Sequence, residues 1–303
     1  LNRAVRLQLQ EAELHDAIEE GGYPAHDLER LLVRILFCLF ADDTGIFEPK
    51  QFELFIENYA KKKDGSDLGQ QLSALFEILN TPVEKRQKGL DEDLKLFPYV
   101  NGDLFGGHLP LAGFNRTMRD KLVAATRFNW SRISPAIFGS LFQGIMDDKE
   151  RRQIGAHYTS ERDILKVIRP LFLDDLQTEF EPIKADRSGR RKSRLEEFQK
   201  KLAGLKLLDP ACGCGNFLVI SYRELRRLEL EALKLLHADK LEAKELDLGE
   251  VAKLSKVDVN QFYGIEIGEW AARIAETALW LTDHQMNIDL GLAFGNTFQR
   301  IPL

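Results

Sequence analysis

The run Leu207-Leu208-Asp209-Pro210-Ala211-Cys212-Gly213-Cys214-Gly215-Asn216-Phe217-Leu218 leaves this chain few folds to choose from. Apolar Leu205, Leu207 and Leu208 predict a short buried strand that ends in Asp209 and is stopped by Pro210. Gly213 and Gly215 let the backbone turn sharply and keep any Cβ out of a ligand's way. A helix is predicted over Asn216–Leu236, with Phe217, Leu218, Ile220, Leu225, Leu228, Leu233 and Leu236 at apolar positions. Its N-terminal N–H groups and positive dipole end face back onto the turn. Strand, glycine turn and helix in that order form a corner that receives a ligand.

Two kinds of nucleotide-like ligand use such a corner. Dinucleotide folds require G-x-G-x-x-G, and here the third glycine is replaced by Leu218. A carboxylate at the strand tip, Asp209, repels a phosphate but holds a cation, which suits a sulfonium cofactor bearing an α-amino group. The run resembles motif I of the S-adenosylmethionine-dependent DNA adenine methyltransferases, D-P-A-C-G-x-G-x-F. The resemblance implies cofactor contacts from Asp209, Ala211, Cys212, Gly213, Gly215 and Phe217. The plainer alternative is a purely structural strand-to-helix turn.

Gln261-Phe262-Tyr263-Gly264-Ile265-Glu266-Ile267 reads as a second buried strand ending in an acid. A carboxylate there can accept hydrogen bonds from both ribose hydroxyls. This resembles motif II, with Glu266 on the ribose and Ile267 on the adenine face. The acid usually follows the glycine turn by about 20 residues. Here a charged insertion, Ala238–Lys256, lengthens the gap. A helix over Trp270–Met286 crosses back, and Leu290–Phe294 reads as a third strand. At its tip, Asn296 and Phe298 hold the motif III position by resemblance and would contact the cofactor's adenine, although a plain turn serves these residues equally.

Upstream, Ile154-Gly155-Ala156-His157-Tyr158-Thr159-Ser160 precedes a helix predicted over Glu161–Leu176, with Thr159 or Ser160 as N-cap. This resembles motif X, G-x-[FYH]-Y-T, which implies that Tyr158 and Thr159 close over the methionine end of the cofactor. His157 is not needed as a base for amino-group methylation. The segment Phe138–Leu173 is similar to the type IIL (Mme-type) restriction–modification enzymes. In these, one polypeptide carries a nuclease, a helical spacer, an adenine methyltransferase and a target-recognition domain. Lys184–Lys201 is strongly basic and reads as a flexible loop leading into a helix, either a solvated linker or a contact to DNA phosphates.

The first half of the chain is helical by pattern. Helices are expected over Arg3–Glu19, Leu28–Phe40, Lys50–Ala60, Leu68–Asn80, Asn115–Phe128 and Ile133–Ile145. A long ordered loop, Pro98–Gly113, is pinned by Phe97, Tyr99, Phe105 and Phe114. The polar break 147–152 marks the boundary between a helical spacer, residues 1–150, and the methyltransferase portion, residues 151–303. The 303 residues fit two domains, or one large one. A net charge of −6 gives no global nucleic-acid signature. Three cysteines without matched histidines predict neither a disulfide framework nor zinc, and fit a reduced, cytoplasmic protein. No apolar run of about 18 residues predicts a membrane span.

The expected fold is therefore α/β with an all-α N-terminal domain: a partial class I (Rossmann-like) methyltransferase sheet truncated after the third strand. The family's catalytic tetrapeptide, Asn/Asp-Pro-Pro-aromatic, occurs nowhere in the sequence. The chain begins at Leu1 and ends at Leu303, and reads as a fragment holding the cofactor half of the enzyme, with no catalytic residue of its own. The parent would methylate adenine N6 in double-stranded DNA. A methyltransferase acting on RNA or protein, or a non-enzymatic binding module of the same fold, are the alternatives.

Overall fold

The computed structural model describes residues 22–100, 104–131, 133–137, 159–238 and 253–294. Of these, residues up to Ile133 belong to one compact unit and those from Ser134 onward to a second.

The first unit is helical: α1 (Ala25–Asp43), α2 (Gln51–Tyr59), α3 (Leu68–Leu79), α4 (Glu92–Lys95) and α5 (Arg116–Thr126). The long apolar run of α1 is buried on all sides, as a central helix requires. Its Phe37 meets Phe47 and Phe105 edge-on, and Phe47 meets Phe97 at 5.0 Å between centroids. The loop expected over Pro98–Gly113 has no regular element among its described residues, and buried Phe97, Phe105 and Phe114 fasten it. Arg34 completes the fastening, donating from Nε to the Leu104 carbonyl at 2.8 Å and from Nη2 to that of Gly106. The helix expected over Arg3–Glu19 lies outside the described residues, as does most of that over Ile133–Ile145.

The second unit opens with α6 (Glu161–Ile168). Its N-cap is Ser160, whose Oγ accepts from Asp163 N. The expected helix end near Leu176 is not an end. Pro170, lacking an N–H, widens one turn into a π turn (Arg169–Leu173), and the chain continues as α7 (Asp174–Ala185). After a short loop, 186–190, comes α8 (Arg191–Gly204), whose Phe198 stacks on Phe180 of α7 at 4.8 Å.

Next follow β1 (Leu207–Asp209), α9 (Asn216–Leu236), β2 (Phe262–Gly264) and α10 (Glu269–Ala293). The strands pair in parallel, Leu207 opposite Phe262, Leu208 opposite Tyr263 and Asp209 opposite Gly264. On one face Leu207 and Phe262 pack into a core with Leu218, Tyr222, Leu225, Phe180 and Phe198. Behind it, Ile164 and Ile168 of α6 meet Val219 and Ile220 of α9 and Ala278 of α10.

The third strand expected over Leu290–Phe294 is not formed. Leu290 continues the helical spacing of Ala278, Leu281, Thr282 and Met286, so α10 runs on to Ala293. Leu290 and Phe294 then close against Leu233 of α9. A short apolar run does not distinguish strand from buried helix, and packing on α9 decides it here. Among the described residues the sheet has two strands, so the expected truncation after a third strand is corrected to a two-stranded parallel pair in a mainly helical unit.

A buried polar network ties α9 to its neighbours. The Glu229 carboxylate, 1% exposed, accepts from Gln199 Nε2 at 2.9 Å, Ser255 Oγ at 2.6 Å, Lys256 N at 2.6 Å and Val257 N at 3.2 Å. Arg226 bonds Asp283 and Asn287 of α10. Gln261, just before β2, donates to the carbonyls of Leu202 and Leu205. These bonds fix the path of the chain from 253 into β2, and so the position of the residues that follow it.

Among the described residues no helix is long and apolar enough to cross a membrane. No cluster there could hold a metal ion, and Cys38, Cys212 and Cys214 are free thiols.

Candidate functional site

The parallel pairing carries on past both strand ends. Ile265 N donates to the Asp209 carbonyl at 3.0 Å, and Cys212 N donates to the Ile265 carbonyl at 3.0 Å. The turn after β1 is thereby bonded to the segment after β2, and both strand tips open at one place. Asp209 Oδ1 accepts from Ala211 N at 3.1 Å, folding the first step of the turn. Gly213 and Gly215 both have positive φ, 52° and 79°. Gly215 is buried, and a Cβ there would stand 2.8 Å from Ala275 Cβ of α10. Gly213 faces open space, with nothing within 4 Å of a Cβ built on it. One glycine serves packing, and the other keeps a cradle empty.

Glu266 enters that cradle from the second strand tip. Its Oε2 accepts from Gly213 N at 2.9 Å and its Oε1 from Gly268 N at 2.7 Å. A carboxylate offers about four acceptor sites. Two are used, and two remain for hydroxyl donors. Next to it Ile267 is 97% exposed, an apolar side chain that none of the described residues covers. Cys212 lies between the two acids, and its thiol is pushed up by burial and by the Asp209 and Glu266 carboxylates.

The structure brings Asp209, Ala211, Cys212, Gly213, Gly215, Glu266 and Ile267 together in this corner. Phe217 is turned partly away and packs against the Ile164, Ile168 and Val219 cluster. Thr159 is half-buried, two residues ahead of Glu161, which Arg223 of α9 grips at 2.5 Å. Tyr158 and Asn296 lie outside the described residues.

Three contributors escaped the sequence reading. Gly268 supplies the second N–H to Glu266. Gly264 leaves room for Cys212, whose Sγ would stand 2.6 Å from a Cβ there. Both flank the acid in Gly264-Ile265-Glu266-Ile267-Gly268, and that bracket of glycines was the available signal. The third is Asn216, buried at the first position of α9, with an Oδ1 that has no hydrogen-bond partner. An open cradle, spare acceptor sites and an uncovered isoleucine suit a ligand with hydroxyls and an apolar ring.

Residues 26–105 match a family model described as the MmeI helicase spacer domain, and residues 185–303 match the MmeI DNA-methyltransferase domain. A Bacillus subtilis protein named DNA methyltransferase A is 39% identical over 87% of this chain and 28% of its own length. The solved structure of the type IIL restriction–modification enzyme MmeI in complex with DNA is 53% identical, with a TM-score of 0.81 over 99% of this chain and 38% of that one. This chain thus spans well under half the length of these relatives.

The two matched domains give the class, a spacer domain followed by a DNA-methyltransferase domain. Within that class, the chain belongs to the MmeI family.

Proposed function

We propose that this chain is the S-adenosylmethionine-holding part of an enzyme that methylates adenine N6 in double-stranded DNA, the modification arm of a restriction–modification system. The observation that carries the reading is the 2.9 Å bond from Gly213 N to Glu266 Oε2. It joins the glycine turn to an acid 53 positions away, the pairing a nucleoside-bearing cofactor needs. Glu266 would accept from the ribose hydroxyls and Ile267 would cover the adenine face. Asp209 would face the cationic amino-acid end, with Asn216 Oδ1 as a further acceptor, and Tyr158, Thr159 and Asn296 would complete the enclosure. The cofactor would supply an electrophilic methyl group, and these residues would bind and orient it. The class I, Rossmann-like sheet is the fold this arrangement fits, with residues 1–150 as spacer and 151–303 as methyltransferase portion. A cytoplasmic setting rests on the free thiols.

The sequence contains no Asn/Asp-Pro-Pro-aromatic tetrapeptide, so this chain alone is expected to bind cofactor without transferring its methyl group. Calorimetric titration with S-adenosylmethionine should give saturable binding, reduced at least about tenfold in Asp209→Ala and in Glu266→Ala, a loss of about 1.4 kcal/mol each. A folded sample that binds nothing, or variants that bind as the parent chain does, would overturn the reading. Labelled methyl appearing in DNA incubated with this chain would overturn the expectation of inactivity.

A further inference from the structure

Between Lys184 and Lys206 the sequence places nine basic residues against three acidic ones, in a chain whose net charge is −6. Lys200 and Lys206 are exposed further along, at the far end of α8 and beyond it, and the other seven cations fall into two sets. Lys184 is paired with Glu181 and Glu231, Arg194 with Asp186, and Lys201 with Glu179. Arg191 is spent on the Lys184 carbonyl at 3.1 Å. Arg187, Arg190 and Lys192 are exposed and have no carboxylate partner among the described residues.

Arg187 and Arg190 sit on the loop 186–190 and Lys192 in the first turn of α8, and that junction is held in place. Asp186 Oδ1 accepts from Ser188 N at 2.8 Å, and its Oδ2 accepts from Arg194 Nη1 at 2.9 Å. Ser188 Oγ accepts from Arg190 N at 3.3 Å. Asp186 is paired with Arg194, and no ion pair joins Glu196 or Glu197 of α8 to these three cations among the described residues. The first turn of α8 carries no acidic residue, against the ordinary preference at that end of a helix. Arg190 and Lys192 therefore repel both each other and the helix end, a local cost that a polyanion would relieve. A solvated linker needs none of this, neither a bonded loop nor cations concentrated where they are least comfortable.

We propose that the loop 186–190 together with the first turn of α8 is a docking surface for the phosphate backbone of duplex DNA, reading no sequence and set apart from the cofactor corner. It rests on the reading of the enzyme as DNA-modifying. Three cations side by side would neutralise two or three phosphates and release their counterions.

The test is fluorescence anisotropy of a short labelled duplex of arbitrary sequence with this chain, from about 50 to 200 mM salt. The triple variant Arg187→Ala, Arg190→Ala, Lys192→Ala should weaken binding about tenfold or more at the low-salt end. It should also flatten the slope of log affinity against log salt by about 2 to 3, close to one per phosphate contact. Arg187→Lys with Arg190→Lys, which keeps the charge, should retain the slope. An unchanged slope in the alanine variant, or no duplex binding by the unaltered chain at the lowest salt, would overturn the proposal. S-adenosylmethionine titration of the alanine variant separates this proposal from the cofactor reading. Retained cofactor binding with lost duplex binding supports the docking surface. Lost cofactor binding with unaltered duplex binding would place the duplex contact elsewhere.

Discussion

Leu207 and Leu208 are neighbours on β1, yet Leu207 packs against the core of α8 and α9 while Leu208 is 62% exposed. Opposite them on β2, Phe262 lies under Tyr222 at 5.2 Å and Tyr263 faces outward, with Ile265 beyond it. Strand geometry explains the alternation, since successive side chains point to opposite faces. It does not explain why both faces are apolar. Strands of parallel sheets carry apolar residues on both sides because both sides are ordinarily covered. One face here is closed by helices, and the described residues leave the other open. The glycine turn repeats the contrast, with Gly215 pressed against Ala275 and Gly213 facing space. Residues of the same kind, a position or two apart, divide into those that build the unit and those that leave room beside it.

Mutation on the two faces should show the division most strongly. Phe262→Ala empties a packed site and is expected to cost about 3–5 kcal/mol in denaturant unfolding. Tyr263→Ala, one position on, should stay within about 0.5 kcal/mol. Equal losses would erase the distinction between the faces. The glycines come next. Gly215→Ala combines a left-handed backbone with a 2.8 Å clash and should lower stability by about 1–3 kcal/mol. Gly213→Ala has the strain without the clash, so about 1 kcal/mol is expected, with its main effect on cofactor affinity.

The smallest effect lies at the tie between α6 and α9. The Arg223 hydrogen bond holds the Glu161 carboxyl below its usual 4.5. A depressed folded pKa means that the folded state binds fewer protons than the unfolded one. The bond's stability is therefore full above about pH 4.5 and fades as pH falls through the folded value. Glu161→Gln should cost less than about 1 kcal/mol at neutral pH and progressively less as pH falls below about 4.5, measured by melting across that range. A cost that persists in acid would mean that the tie is not ionic.

How far the sequence foretold this depends on whether a feature has a local signal. Helix α9 was legible at both ends, because a glycine turn starts it and seven apolar residues at helical spacing carry it through. Glu266 was legible as an acid closing an apolar run, but its bond to Gly213 was not, since that contact depends on two distant strand ends coming into register. Leu290–Phe294 was misread because its apolar residues fit strand and helix alike until Leu233 is seen beside them. Glu229 gave no signal at all. In the sequence it is one more charge on an amphipathic helix. Only the folded chain shows four donors converging on it.

Glu229 and Glu266 therefore put the closed and open sides of the unit to the most direct test, as Glu229→Gln and Glu266→Gln compared for melting temperature and for S-adenosylmethionine affinity below the melt. If the structure is read correctly, Glu229→Gln lowers the melting temperature by several degrees and leaves affinity nearly unchanged. Glu266→Gln should do the reverse, holding its melting temperature while losing about tenfold or more in affinity. An affinity loss in Glu229→Gln with none in Glu266→Gln would contradict the assignment of the cofactor to the corner between the strand tips.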